Sequence, residues 1–442
     1  MLAINGGVPI WDKGWPKWPT ANKNVVRRLT QVLESGRWAI SGPFTGTKSQ
    51  EKIFADMFAK YCNVKYCIPT CNGSSALLIA LESLNIGVGD EVIIPVLTWV
   101  ATATAVTNVN AIPVFVDVDP KTLCISPEKV CKAITKNTKA IIPVHLYSTM
   151  ADMDALLKIS NEYRIPIIED CSHVHGAMWK GKRAGSLGII GTFSMQQTKV
   201  LTAGEGGAAI TDDYDLAKKM EALRADGRIY GGKTEKGKLE LVPYNGLQGS
   251  NYCLSEILAA ILIENLKILD KQHEIRLKNA KILDGMLRKI DGVYPIHADK
   301  RVNKRVFYKY VIRIDPECFA GRNAIAVANA ISLELGINAE PIYKPLHKNS
   351  LFAPLSKKRF HINNIYISRF NSIRKMRFPV AEKAYSTYIT FPHNILLGDY
   401  EHLQAIAEAL EKVKQYADSI PYLVHHPDPP FAGAHFGAIA HA

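Results

Sequence analysis

Between about residues 65 and 210, short apolar runs alternate with longer segments whose apolar residues recur at helical spacing. The runs Tyr66–Pro69, Glu91–Pro95, Ile112–Val116, Ala140–Val144 and Ile165–Ile168 are rich in β-formers. Ser75–Leu84, Trp99–Asn108, Pro127–Ile134 and Ala151–Tyr163, which separate them, read as helices. Short strands that are apolar throughout and separated by helices predict βαβ units around a mainly parallel sheet. Two further apolar runs, Gly191–Met195 and Gly207–Ile210, enclose a turn.

Beyond an exposed loop at Gly231–Lys238, Ser255–Ile290 predicts one or two long helices with an apolar face at Ile257, Ile261, Leu266 and Leu269. The pattern then changes. Val306–Ile314 is strand-like, Asn323–Leu335 helix-like, Lys357–Arg377 a basic loop and Tyr400–Tyr416 a last helix. The fold class expected is α/β, with an N-terminal arm (1–20), a large domain (21–255), and a long helix with a smaller C-terminal α/β domain (256–418). The stretch 419–442 is read as a disordered tail, because it is rich in Pro, Ala and His and aperiodic.

Composition narrows the picture little. The residues are 47% hydrophobic and 21% charged, the balance of a globular chain. The net charge of +13 raises nucleic acid as a partner, but no helix-turn-helix or zinc module supports it, and none is expected. Val92–Val116 is uncharged and imitates a membrane span. Pro95 and Pro113 interrupt it and its threonines and asparagines make it too polar, so strand, helix, strand is the better reading, and no membrane partner is expected. The eight cysteines have no zinc spacing, and the first residues carry no signal-peptide pattern, which together suggest the cytoplasm.

Three segments carry candidate chemistry. The turn Asn72-Gly73-Ser74-Ser75 lies between a strand and a helix, where backbone N–H groups favour an anion. Asp170 ends a buried strand, the place where open α/β sheets hold ligands. The spacing of His173 and His175 suggests metal only weakly, and no metal is expected. Lys199 is followed by a small-residue loop ending in Gly204-Glu205-Gly206-Gly207, an unusual place for solvated charge. A desolvated lysine has a lowered pKa and serves as a nucleophile toward carbonyls. A phosphate cradle, a strand-end aspartate and a pocket lysine are the parts a pyridoxal phosphate site needs.

The ordered motifs NGSSAL, PVLTWVATATAV, IEDCSHVHGA, FSMQQTKVLTAGEGGAAIT and GSNYCLSE resemble the DegT/DnrJ/EryC1/StrS aminotransferases, of fold type I, from about Leu2 to Tyr416. Arg37–Gly42, Leu223–Arg228, Gly249–Glu256 and Pro392–Gly398 carry a closer resemblance to the subgroup acting on scyllo-inosose and 2-deoxy-scyllo-inosose. The resemblance implies pyridoxal 5′-phosphate as cofactor, Lys199 as its covalent anchor and proton shuttle, and Asp170 on its ring nitrogen. It implies His173 near the ring hydroxyl, Trp99 stacked on the ring, and Ser74, Ser75, Ser194 and Gln197 on the phosphate. Asn251 would reach the site of a neighbouring subunit, so a homodimer is implied. Arg228, Tyr343 and His347 are candidates for substrate contacts. L-Glutamine would be the donor and a cyclic ketone the acceptor; a nucleotide-linked ketosugar, an amino-hydroxybenzoate synthase activity and a non-catalytic cofactor-binding regulator are the alternatives. Two positions depart from the family: Ile189 stands where Asp is common, and Cys253 where Arg is common.

Overall fold

The computed structural model describes residues 1–421, so most of the segment expected to be a disordered tail lies outside the described residues. Strands β1 (Tyr66–Thr70), β2 (Glu91–Pro95), β3 (Ile112–Val116), β4 (Thr138–Ile141) and β5 (Ile168–Asp170) follow the predicted runs closely. Strands β6 (Met178–Trp179) and β7 (Lys182–Arg183) form a small hairpin, and β8 (Ile190–Ser194) and β9 (Gly207–Thr211) complete the sheet. The spatial order is β1-β9-β8-β5-β4-β2-β3; β5 joins β4 through the parallel bridges Ile141↔Ile167 and Val144↔Asp170. Only β9 runs antiparallel to its neighbours.

Strands β4 and β5 each sit about two residues away from the expected Ala140–Val144 and Ile165–Ile168. The cause is local: Pro143 and Pro166 have no N–H to give a ladder, which breaks there into single bridges. The uncharged stretch from Val92 to Val116 folds as β2, helix α4 (Val100–Asn108) and β3, almost wholly buried. Among the described residues no helix is long and apolar enough to cross a membrane.

Helices α1 (Lys23–Ser35), α2 (Gln50–Cys62), α3 (Gly73–Ser83), α5 (Pro127–Ala133), α6 (Met153–Tyr163) and α7 (Tyr214–Arg224) surround this sheet. The predicted long helical region is one helix, α8 (Glu256–Leu287), capped by Ser255. Its inward face carries Ala259, Ala260, Leu262, Ile263, Leu266, Leu269, His273 and Arg276, whereas Ile257 and Ile261 are only half-buried. The inward face is partly small and polar, which apolar periodicity does not read.

Strands β10 (Arg228–Tyr230) and β11 (Leu241–Pro243) pair in a hairpin. A four-stranded antiparallel sheet follows from β12 (Val293–Pro295), β14 (Lys309–Ile314), β16 (Tyr388–Pro392) and β15 (Glu340–Pro341), while β13 (Val302–Lys304) pairs with β6. Helices α9 (Ala324–Leu335), α11 (Pro379–Thr387) and α12 (Tyr400–Gln415) belong to this region. The expected basic loop contains a helix, α10 (Asn364–Ile373), whose Tyr366, Phe370 and Ile373 are buried at helical spacing, while its exposed face is mostly Asn and Ser with one cation, Arg369. Ile420 is buried and its carbonyl accepts from Arg322 Nε (2.8 Å), so order extends into the start of the expected tail. Leu2 and Trp11 pack into the apolar cluster of the second sheet, and α8 contributes to both main clusters. We propose on this basis that the large and small domains meet along α8, with the N-terminal arm seated on the small one.

Glu169, beside Asp170 in β5, anchors the sheet to the loop before β8. Its carboxylate accepts from His145 Nε2 (3.0 Å) and from the amides of Gly185 (3.0 Å), Leu187 (2.7 Å) and Gly188 (2.6 Å). Ile189, the first departure from the family pattern, stands partly exposed at the end of this loop, its amide on the Ile167 carbonyl. Glu169→Ala leaves three amides and a histidine without an acceptor. We expect it to cost about 3–5 kcal/mol, measured by denaturant unfolding, and Glu169→Gln to cost less.

Candidate active site

The C-terminal ends of β5 and β8 and the N-terminus of α3 converge, and glycine makes their approach possible. A Cβ on Gly73 would lie 2.6 Å from Ser194 Cβ, and one on Gly207 would lie 2.4 Å from the Asn72 backbone. Asn72 caps α3 with its side chain, accepting from Ser75 N (2.8 Å) and Ser75 Oγ (3.0 Å). Ser75 is therefore buried and occupied, whereas Ser74 is exposed at the first turn. Among the described residues the amides of Gly73 and Ser74 donate to no acceptor. The Ser194 hydroxyl lies against this turn, and Gln197 follows on the next loop.

Asp170 is 5% exposed. Its carboxylate accepts from Thr102 Oγ1 (3.0 Å) and from the Ser172 amide (3.2 Å), both neutral donors, and Thr102 in turn meets Thr98 Oγ1 at 3.0 Å. No cation pairs with it among the described residues. Lys199 is 8% exposed and forms no ion pair among the described residues; its Nζ stands 4.0 Å from the centroid of the Tyr308 ring. Burial pulls the Lys199 amine below its ordinary pKa, against the opposing effects of Tyr308 and Asp170.

His173 accepts the Tyr147 amide at Nδ1 (3.0 Å), which leaves its proton on Nε2, 3.4 Å from the Tyr343 hydroxyl. Its ring stacks on Tyr308 at 4.1 Å. Burial, then the charges of Lys199, His175 and Lys309, hold it well below its usual pKa, so it is neutral. Tyr343 also meets the ring of Trp99 at 5.7 Å, and Trp99, at the start of α4, is 44% exposed and presents its ring at the edge of the cluster.

Other expected residues stand apart from this group. His347 is buried against Phe378, with Nε2 3.0 Å from Glu382 Oε1. Arg228 bonds the Ala225 carbonyl (3.0 Å) and pairs with Asp226 (3.0 Å), and exposed Asn251 bridges to the same Ala225. Cys253, the second departure, sends its thiol to the Arg224 carbonyl (3.2 Å). His145, Glu169 and Cys171 lie close enough to suggest a metal site, but Glu169 is already satisfied, and burial pushes the Cys171 thiol well above its ordinary pKa. His175 turns away from His173 toward Phe193.

Sequence reasoning missed Tyr308 and Lys309. Tyr308 Oη meets Thr198 Oγ1 at 3.1 Å, and Lys309 pairs with Glu340 at 2.7 Å. Burial raises the Tyr308 phenol, but Lys199, Lys309 and the Thr198 hydrogen bond bring it below its usual pKa. Both residues belong to an apolar run that reads as an ordinary core strand; the only signal was a lysine inside it.

The family model of the DegT/DnrJ/EryC1/StrS aminotransferase family matches residues 19–411. The chain is 46% identical over 416 residues to an L-glutamine:2-deoxy-scyllo-inosose aminotransferase of Streptoalloteichus tenebrarius, covering 94% of this chain and 98% of that protein. It is 41% identical to an L-glutamine:scyllo-inosose aminotransferase of Streptomyces griseus, over 93% and 97% of the two chains. Among solved structures, 3-amino-5-hydroxybenzoic acid synthase superposes with a TM-score of 0.78 at 31% identity, over 90% of this chain and 98% of that one. The sheet with its converging strand ends and the match along nearly the whole chain agree: this protein belongs to the DegT/DnrJ/EryC1/StrS family of pyridoxal-phosphate-dependent aminotransferases.

Proposed function

We propose that this enzyme transfers the amino group of L-glutamine to a keto-cyclitol of the scyllo-inosose or 2-deoxy-scyllo-inosose type, in aminocyclitol antibiotic biosynthesis. The observation that carries the choice of substrate is the identity of 41–46% to enzymes named for those substrates, along almost the full length of both chains. The amino-hydroxybenzoate relative is more distant, at 31%.

The residues fit the cofactor on three counts. Lys199 offers an amine with no acid partner, Asp170 a carboxylate with only neutral donors, and the first turn of α3 free amides beside two hydroxyls. When bound, pyridoxal phosphate supplies an aldehyde and an electron-withdrawing ring that takes up the electron pair of a broken Cα–H bond. Asp170 would hold a proton on the ring nitrogen. Lys199, whose amine burial shifts toward its neutral form, would carry a proton from the donor carbon and return it to the acceptor carbon. His173 would offer its Nε2–H at the ring hydroxyl and Trp99 a flat surface for stacking. Ser74, Ser194, Gln197 and the α3 amides would hold the phosphate, while Ser75 supports them through the Asn72 cap. Tyr308 acts as a positioning residue, its ring beneath Lys199 and its hydroxyl on Thr198. Tyr343 would touch substrate. Arg228 and Asn251, placed together on the segment after α7, would serve the site of a neighbouring subunit in a homodimer.

Three outcomes are expected. Lys199→Ala should lower turnover by about 10³-fold or more and abolish the visible absorption of the anchored cofactor. Tyr308→Phe should retain that absorption, lower kcat about tenfold and shift the pH–rate profile. Mixing inactive Lys199→Ala protein with Asn251→Ala protein should regain activity as subunits exchange; no regain would place Asn251 in its own chain's site. The substrate assignment itself is tested by comparing kcat/KM for scyllo-inosose derivatives and nucleotide-linked ketosugars: preference for the latter overturns it.

A further inference from the structure

Lys309 and Glu340 come from the two strands that flank β16 and meet across it, Nζ to Oε1 at 2.7 Å. Alternation along β14 decides which way Lys309 faces. Tyr310 and Ile312 pack into the apolar cluster of the second sheet, whereas Val311, on the same side as Lys309, belongs to the cluster built around the first. The pair therefore lies on the face turned toward the lysine pocket. Lys309 Nζ is 6.0 Å from the centroid of the Tyr308 ring, and Lys199 Nζ is 4.0 Å from that same centroid. After burial, Lys309 is among the charges that act against protonation of Lys199 and His173, and Glu340 acts against ionisation of Tyr308 and Tyr343. Glu340 also stands three residues before Tyr343 on one segment.

The pair does not use up either group. Both side chains keep accessible surface, 12% for Lys309 and 21% for Glu340. Among the described residues the Lys309 ammonium, with three N–H donors, makes one hydrogen bond, and the second oxygen of Glu340 meets only Asn338 Nδ2, at 3.5 Å. An ion pair set in a core for stability alone gains little over apolar residues of the same volume. This one leaves a donor and an acceptor side by side, with no net charge, next to the reacting lysine. A ring hydroxyl both donates and accepts, so two adjacent hydroxyls match the pair. A phosphate or carboxylate would meet the Glu340 anion as well as the Lys309 cation. Resting on the substrate class proposed above, we propose that Lys309 and Glu340 bind adjacent hydroxyls of the keto-cyclitol and select it over anionic acceptors. They determine specificity in the second half of the reaction, and the carboxylate of the donor is not their ligand.

The test follows the two halves of the reaction separately in the holoenzyme. Visible absorption of the anchored cofactor is lost on adding L-glutamine and restored on adding 2-deoxy-scyllo-inosose. Glu340→Gln and Lys309→Met should each slow the ketone half about 10- to 100-fold, and at least tenfold more than they slow the glutamine half. Equal losses in both halves would make the pair structural, and a larger loss with glutamine would assign it to the donor; either overturns the proposal. A parent enzyme that responds to glutamine but is not restored by the ketone removes the substrate reading and the proposal with it. A structure of the parent holoenzyme with the aminated cyclitol should place one ring hydroxyl within hydrogen-bond distance of Glu340 and its neighbour within reach of Lys309. Hydroxyls that bond neither group overturn the proposal, and this result stands even if the variants do not fold.

Discussion

A lysine and an aspartate of opposite charge are buried near one another and kept from pairing. Burial lowers the Lys199 pKa and Asp170, after Tyr308, opposes that fall, yet among the described residues no ion pair forms between them. Were they to pair, each would satisfy the other and neither would be available. Thr102 and the Ser172 amide hold the carboxylate, while the Tyr308 ring lies under the amine. The separation leaves two unneutralised groups in a dry place, an unfavourable arrangement unless a ligand completes it. We propose pyridoxal phosphate, with a ring nitrogen for one and an aldehyde for the other, as that ligand.

The rest of the fold keeps these groups where they are. Asp170 is fixed by the end of β5, whose other acid, Glu169, binds three amides of the loop leading to β8. Strand β8 then delivers Ser194 against Gly73, and the antiparallel β9 returns through Gly207 against Asn72. The free amides of α3 and the two strand ends thus meet because two positions lack a side chain. From the second sheet, the start of β14 and the residue before it bring Lys309 and Tyr308 to the same place, so the pocket draws on distant segments of the chain.

Much of this was legible in the sequence. Apolar runs located the strands, and β2 and β3 fall where expected, their mutual parallel register unbroken although Pro95 ends one and Pro113 lies in the other. Where prolines interrupt them, at Pro143 and Pro166, strand boundaries move. Lys199 and Asp170 could be singled out because charge is unexpected in small-residue or apolar surroundings. Tyr308 could not, since a tyrosine in a half-apolar strand looks like packing, and its role arises from a stack across distant segments. His347 and Arg228 attracted notice as polar residues but are seated by Glu382 and Asp226. The charge surplus also changes meaning. Residues 301–380 carry 15 Lys and Arg against 4 Asp and Glu. Several of these cations fasten the 343–378 segment: Arg374 binds the carbonyls of His347, Asn349 and Phe352, Arg359 that of Asn108, and Arg369 pairs with Glu91. A basic composition that hinted at nucleic acid is in large part internal stapling.

The central claim is that the amino group passes from glutamine through this pocket to a cyclic ketone. It is tested most directly by supplying L-glutamine labelled with nitrogen-15 at the α-amino group, together with 2-deoxy-scyllo-inosose, and weighing the cyclitol product by mass spectrometry. The account predicts one labelled nitrogen per product molecule, and none when the label is on the side-chain amide instead. Product lacking the α-amino label, or labelled from the amide, would contradict it.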